Sequence, residues 1–391
     1  MKISVKKRNL DAAIQVATLA LGSGEDSNIE THYLIRHNTK TGGTSVLGHG
    51  KRLLAEAPLL ECVVETDATT DYDAITVPGW RLRTWLSAIT DGDEDLTIER
   101  LSDGTLKGTA KRGSGKFGSL NPKDWRYWDD TFADAKKVAS IKGSHFINIL
   151  TYVKSFVSDQ ETRSPAIVAV ECRDGVLSAT DSVGVAVITA PALKDSTLRV
   201  HGKDIPTLIS FLGLAGDTDV ELLEHDRCLF LKLADGRVFG AGRWVHQFPH
   251  LTSLDPDPSK PSKGSFRLNT ADMLGAMKYL LAFAQKDDGD IHFSYGDNKV
   301  TLSMRSGSGS KEYDTQVLDC IESTGMDAIK AEGHEGFTLT KRYVESVATA
   351  FGEETMLFRV DVTKKNGYVS FFHDRDGDSY YTVIVWVKGA R

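Results

Sequence analysis

The chain has 391 residues, of which 40% are hydrophobic and 26% charged, with a net charge of −7. That composition supports a core of ordinary size, and the acidic balance argues against a protein that grips nucleic acid through bulk charge. Cys62, Cys172, Cys228 and Cys320 form no CxxC pair, no apolar run nears the roughly 20 residues of a membrane span, and MKISVKKRNL has no apolar core behind its lysines; a zinc ribbon, a membrane helix and an export signal are therefore not expected.

From the N-terminus, Ile3 and Val5 alternate as on one strand face, and a helix follows with Leu10, Ile14 and Ala17 on one side. The template is two strand residues and then, five residues on, helical positions 0, +4 and +7. It recurs as Ile75 and Val77 with Leu82, Leu86 and Ile89, and as Ala139 and Ile141 with Phe146, Leu150 and Val153. Further copies are Leu198 and Val200 with Ile205, Ile209 and Leu212, then Phe266 and Leu268 with Met273, Met277 and Leu280. The last is Phe337 and Leu339 with Val344, Ala348 and Phe351. Copies lie about 60–70 residues apart, which marks an architecture built by repetition.

Between the helices, 220–223, 228–233, 238–240, 291–295, 300–304, 357–362, 368–372 and 380–387 are rich in β-branched and aromatic residues. Asp-Gly, Gly-Asp and Asn-Gly turns punctuate them at 103–106, 173–176, 234–237, 295–298, 365–368 and 376–379. Each copy thus reads as strand, helix, then antiparallel strands, an α+β class. Pairing the copies gives three domains, 1–133, 134–256 and 264–391. The polar stretches 129–137 and 255–264 are expected as linkers between them, and 322–335 as a loop.

The helix windows 8–21, 78–89, 143–157, 203–214, 270–284 and 339–351 carry Arg8, Arg81, Arg83, Lys154, Lys203, Lys278, Lys341 and Arg342 against only Asp11, Asp204, Asp272 and Glu345. They are a basic subset of an acidic protein. Their outward positions are mostly small and polar: Ala12 and Gln15, Thr84 and Ser87, Asn148 and Thr151, Thr207 and Ser210, Gly275 and Lys278, Ser346 and Thr349. Such a face can lie near a phosphate backbone without reading bases.

At this point the chain resembles the bacterial DNA sliding clamps, the beta subunits of DNA polymerase III. The resemblance rests on TVPGWRLRTWLSAI (76–89) with GKFGSLNPKDW (115–125), ETRSPAIVAVE (161–171), LSATDSVGV (177–185), QFPHLTSL (247–254), TKRYVESVA (340–348) and TVIVWVK (382–388), in family order over the whole chain. It implies three repeated clamp domains, each of two strand–helix–strands units. Helices would line a hole and antiparallel sheets would form the rim of a head-to-tail homodimer that encircles duplex DNA without catalysis or cofactor. The eight helix cations would face the DNA. A partner-peptide pocket, for short hydrophobic peptides of a polymerase and a clamp loader, is implied at Arg163, Ile167, Thr180, Ser182, Val183, Val185, Pro249, Leu254, Val383, Ile384, Val385 and Trp386. The family's Gly-His-Arg-Leu is Ser182, Val183, Gly184, Val185 here, so a basic side chain is missing, and Trp386 replaces a proline. The resemblance also implies a dimer interface at Phe117, Leu120 and Phe283, and a cytoplasmic, nucleoid-associated protein. A clamp-like interaction protein that does not encircle DNA, and an enzyme on an α+β repeat, are the alternative readings.

Other motifs carry less. GTAKRGS (108–114) lacks the P-loop lysine, and DRDGD (374–378) lacks the closing glutamate of a calcium loop and reads as a hairpin turn. Pro249 breaks any helix that would align His246 with His250 as metal ligands, so no metal site is expected.

Overall fold

A computed structural model of the chain describes residues 1–25, 27–125, 127–162, 164–249, 260–283, 290–305, 313–363 and 366–387. It divides into two compact units: Met1–Phe146 with Lys203–Arg243, and Ile147–Gly202 with Trp244–Arg391. The class is α+β with antiparallel pairing throughout the sheets. The long helices are α1 (Lys7–Thr18), α2 (Gly79–Ser87), α3 (Gly143–Lys154, shared between the units), α4 (Ile205–Gly213), α5 (Thr270–Phe283) and α6 (Lys341–Phe351).

In the first unit a five-stranded sheet runs in the order 63–65, 2–6, 95–100, 106–110, 113–117, and an eight-stranded sheet in the order 136–142, 219–224, 228–233, 238–242, 53–58, 44–49, 32–38, 72–78. Strand 2–6 buries Ile3 and Val5 and passes straight into α1, with no side-chain cap. Carbonyls from a later turn meet the orphan helix amides instead: Lys7 N–H donates to Glu94 O at 2.9 Å and Arg8 N–H to Gly92 O at 2.8 Å. The device recurs at α3, where Gly143 and Ser144 donate to Thr218 and Gly216 at 3.0 and 2.9 Å. Gly143 is needed there, because a Cβ would lie 2.8 Å from the Gly216 carbonyl oxygen.

The eight-stranded sheet is continuous across the expected boundary at 133/134, since Phe239 pairs with Ala55 and Gly240 with Leu54. The stretch expected as a polar linker is ordered and structural. Asp129–Ala133 is a short helix, and Trp128 and Phe132 pack edge-on against Phe230 with ring centroids 5.9 and 5.1 Å away. Asp129 pairs with Arg36, which also lies 3.5 Å from Glu56. One aromatic anchor inside a polar run and a second just before it give no periodicity, so composition hid them.

In the second unit a nine-stranded sheet runs 199–201, 169–173, 176–180, 184–189, 378–387, 366–375, 355–362, 264–269, 322–324. A four-stranded sheet runs 313–319, 299–305, 290–296, 336–340. Thr270 N–H at the start of α5 donates to Glu354 O at 2.9 Å, the same closure as at α1 and α3. The expected turns at 174–175 and 376–377 hold both central residues at positive φ, as two-residue hairpins with right-handed twist require. The stretch 322–335, expected as a loop, instead adds strand Glu322–Thr324 and helix Met326–Ala331, whose Met326 and Ile329 are buried. Part of the expected linker, 255–259, lies outside the described residues.

All twelve strand positions of the template are buried, and nearly all its helical positions. The exceptions have local causes. Ile89 follows the end of α2. Ile209 is half-buried because α4, entered through a 3-10 turn and Pro206, turns Ile205, Leu208, Phe211 and Leu212 inward.

Candidate functional site

The second unit brings together most of the expected pocket strand by strand. Gly184 pairs with Ile384 and Val185 with Val383, Thr180 pairs with Val185, and Val385 N–H donates to Val183 O at 2.9 Å. Val185, Val383, Ile384 and Ile167 are almost closed to solvent, whereas Val183 is 47% exposed. The apolar surface on offer is therefore a raised contact at Val183 over a packed floor. Pro249 is exposed, Trp386 pairs through its backbone with Gly367, and Arg163 and Leu254 lie outside the described residues.

The turn that lifts Val183 is built by its own polar side chains. Thr180 Oγ1 donates to Gly184 O at 2.8 Å and accepts from Ser182 N–H at 3.2 Å. Asp181 Oδ1 accepts from the amides of Val183 at 3.1 Å and Gly184 at 2.9 Å, and Ser182 sits at φ +79°, in the left-handed region. The other carboxylate oxygen of Asp181 accepts from Tyr343 Oη and pairs with Arg342, both at the start of α6. Arg342 Nη2 also donates to Tyr343 Oη at 3.1 Å.

Beneath this latch the Tyr343 ring stacks on Phe156 at 5.1 Å, and Phe156 leans on Tyr152 at 5.7 Å. Tyr152 Oη bonds Thr382 Oγ1 on the strand beside the turn. Burial, reinforced by Asp181, holds the Tyr343 phenol far above its ordinary range, and burial does the same for Tyr152. Both stay neutral donors at any physiological pH. Gly184 is required under the stack, since a Cβ would lie 2.9 Å from Phe156 and 3.0 Å from Tyr343. The arrangement can hold a rigid apolar rim for a short peptide, and it presents no nucleophile paired with a base.

The expected DNA-facing cations are unevenly placed. In the first unit Arg81, Arg83 and Lys203 are exposed, and Arg83 borders a groove between α1 and α2 with Lys7, Gln15, Thr18 and Ser87. Arg8 is paired with Asp93 and lies 3.8 Å from Glu61. In the second unit Lys154 and Lys278 are exposed, Lys341 lies 3.3 Å from Glu345, and Arg342 belongs to the Asp181 latch. Arg8 and Arg342 are thus committed to carboxylates outside the helices, which the count along them did not include, and Lys341 to Glu345 on its own helix.

The expected interface residues also divide. Phe117 is 6% exposed and packs edge-on against Trp85 at 5.6 Å, so within the chain it is a core residue of the first unit. Leu120 is half-buried and its amide donates to Thr76 Oγ1 at 2.8 Å. Phe283 is 53% exposed beside the equally exposed Tyr279, 5.1 Å away. Strands 113–117 and 313–319 are sheet edges, the second with Val317 exposed. Sequence reasoning missed Tyr343, Phe156 and Tyr279, and it gave Asp181, which lies within the expected 180–185 stretch, no role of its own. Of these only Tyr279 carried a local signal, four residues before Phe283 on one helix.

No family model and no curated protein matches the chain. Solved structures do, end to end. The DNA polymerase sliding clamp of Bacillus subtilis is 15% identical, with a TM-score of 0.78 and 99% of both chains covered. The polymerase beta subunit of Streptococcus pyogenes is 13% identical at 0.78, covering 99% of this chain and 100% of that one. The DNA polymerase III subunit beta of Pseudomonas aeruginosa is 16% identical at 0.76, with 99% of both covered. The chain therefore has the sliding-clamp fold.

Proposed function

We propose that this protein is a DNA sliding clamp, a non-catalytic ring of two head-to-tail copies that encircles duplex DNA and tethers a polymerase. The observation that carries the reading is the whole-chain match: the fold is shared across 99% of this chain and of its structural neighbours. The repeated helix closures at Lys7, Gly143 and Thr270 support three domains of one plan, 1–133, 134–256 and 264–391. The helices face the DNA and the sheets form the rim. Arg81, Arg83, Lys154, Lys203 and Lys278 supply the positive field, and the neutralised Arg8, Lys341 and Arg342 keep it weak. Weak attraction suits a ring that must slide, because retention comes from closure.

The rim beside Val183 takes the hydrophobic peptides of polymerase and loader, and the protein works in the cytoplasm on the nucleoid. Copies join where edge strand 313–319, flanked by Tyr279 and Phe283, meets edge strand 113–117 of the next copy; Leu120 borders it and Phe117 braces that strand from inside. The test is retention on DNA. Loaded onto a nicked plasmid, the protein should stay through gel filtration at high salt and dissociate once the plasmid is linearised. Charge reversal of Arg81, Arg83, Lys154, Lys203 and Lys278 to Glu should abolish loading. Equal retention on circular and linear DNA would refute encirclement.

A further inference from the structure

Helix α2 contains two tryptophans with opposite fates. Trp85 packs inward on Phe117, while Trp80 is 51% exposed on the first turn. Leu82 and Leu86 anchor the buried side of α2. At 100° per residue, Trp80, Thr84 and Ser87 then form one stripe along the middle of the exposed side, with Arg83 on one flank and Arg81 on the other. The guanidinium carbon of Arg81 lies over the Trp80 ring, 5.0 Å from its centroid. The sequence GWRLRTWLS holds two arginines and no acid, in a chain of net charge −7. Thr84 and Ser87 are short, and their hydroxyls donate back to Trp80 O and Thr84 O at 2.8 Å, so these two neighbours on the stripe do not reach over the indole.

We infer that Trp80, with Arg81 and Arg83, is a stacking site for unpaired bases of single-stranded nucleic acid, read without regard to sequence. An indole half open to water and flanked by guanidinium groups offers a flat surface to a base and positive charge to the phosphates on either side. A duplex gains little from it, because its bases are already stacked and present only edges. Arginines without the indole would serve both forms alike. The site goes beyond the encirclement proposed above, which needs no base contact, and it does not depend on ring closure.

The experiment is fluorescence anisotropy of the intact protein with a labelled oligothymidylate of about 16 nucleotides, set against a blunt duplex of the same length. The expected result is tighter binding to the single strand, with quenching of tryptophan emission. Trp80→Ala should lower the single-strand affinity about tenfold or more and collapse the ratio of single-strand to duplex affinity, while Trp80→Phe keeps most of both. An unchanged ratio in Trp80→Ala overturns the inference. So does a loss seen only with Arg81→Glu, which would mean plain charge attraction, or a Trp80→Ala loss confined to polymerase binding, which would mean a protein-docking surface. Plasmid retention measured in parallel keeps the two readings apart: each can fail while the other stands.

Discussion

Replacing Asp181 by alanine should loosen the rim at Val183 and destabilise the unit that contains it. The carboxylate is nearly buried and has four partners: the amides of Val183 and Gly184, Tyr343 Oη and Arg342. A hydrogen bond to a charged group contributes about 1.5–3 kcal/mol, and the Tyr343 hydroxyl would be left without this acceptor in a mostly buried position. The Arg342 pair adds no more than about 1 kcal/mol, since that side chain is half-exposed. Such terms are not additive, so the expected loss is about 3 kcal/mol, a fall of roughly 10 °C in the melting of that unit. Asp181→Asn, which keeps an acceptor for the amides, should lose about half as much. In a double-mutant cycle Tyr343→Phe should couple to Asp181→Ala by about 1–2 kcal/mol. Affinity for a labelled short hydrophobic peptide should fall with it, because Ser182 holds a left-handed φ only while the turn is braced. A loss under about 1 kcal/mol, or strict additivity with Tyr343→Phe, would show that the latch does not hold the turn.

Tyr279→Asp with Phe283→Asp should give monomers in sedimentation without lowering the melting temperature, as both side chains are exposed; an unchanged mass would move the proposed interface elsewhere. Phe117→Ala should instead cost about 3 kcal/mol of stability, since it empties the space against Trp85; a neutral effect in urea unfolding would contradict its core placement. For Asp73, burial raises the pKa, but the Thr66 hydroxyl and Arg100 outweigh it and the net shift is downward. The stabilisation is therefore present above the unfolded value near 4 and is lost as pH falls through the lower folded value. The stability gap between wild type and Asp73→Asn should be open at neutral pH and close progressively below about pH 4; a gap that widens in acid would reverse the assignment. Burial pushes the Cys228 and Cys320 thiols up to about 11, so both should react slowly with a disulfide reagent near pH 8, with half-buried Cys62 reacting first.

The amino-acid sequence by itself determined the six strand–helix units, because alternation and the 0, +4, +7 stripe are local and every such strand residue was bound for the interior. It also determined most hairpin turns, since Asp-Gly pairs at positive φ act over a few residues. Tertiary structure alone decided what lies far apart in the chain. Asp181 and Arg342 are separated by 161 residues, so no periodicity could reveal that a helix cation completes a turn. The same distance effect hid the Trp128 and Phe132 anchors on Phe230, and the helix that Met326 and Ile329 hold down within a polar run. Charge counted along a helix says which sign is present. Whether Arg8 or Lys203 still offers that charge to a ligand depends on which carboxylates the fold sets beside it.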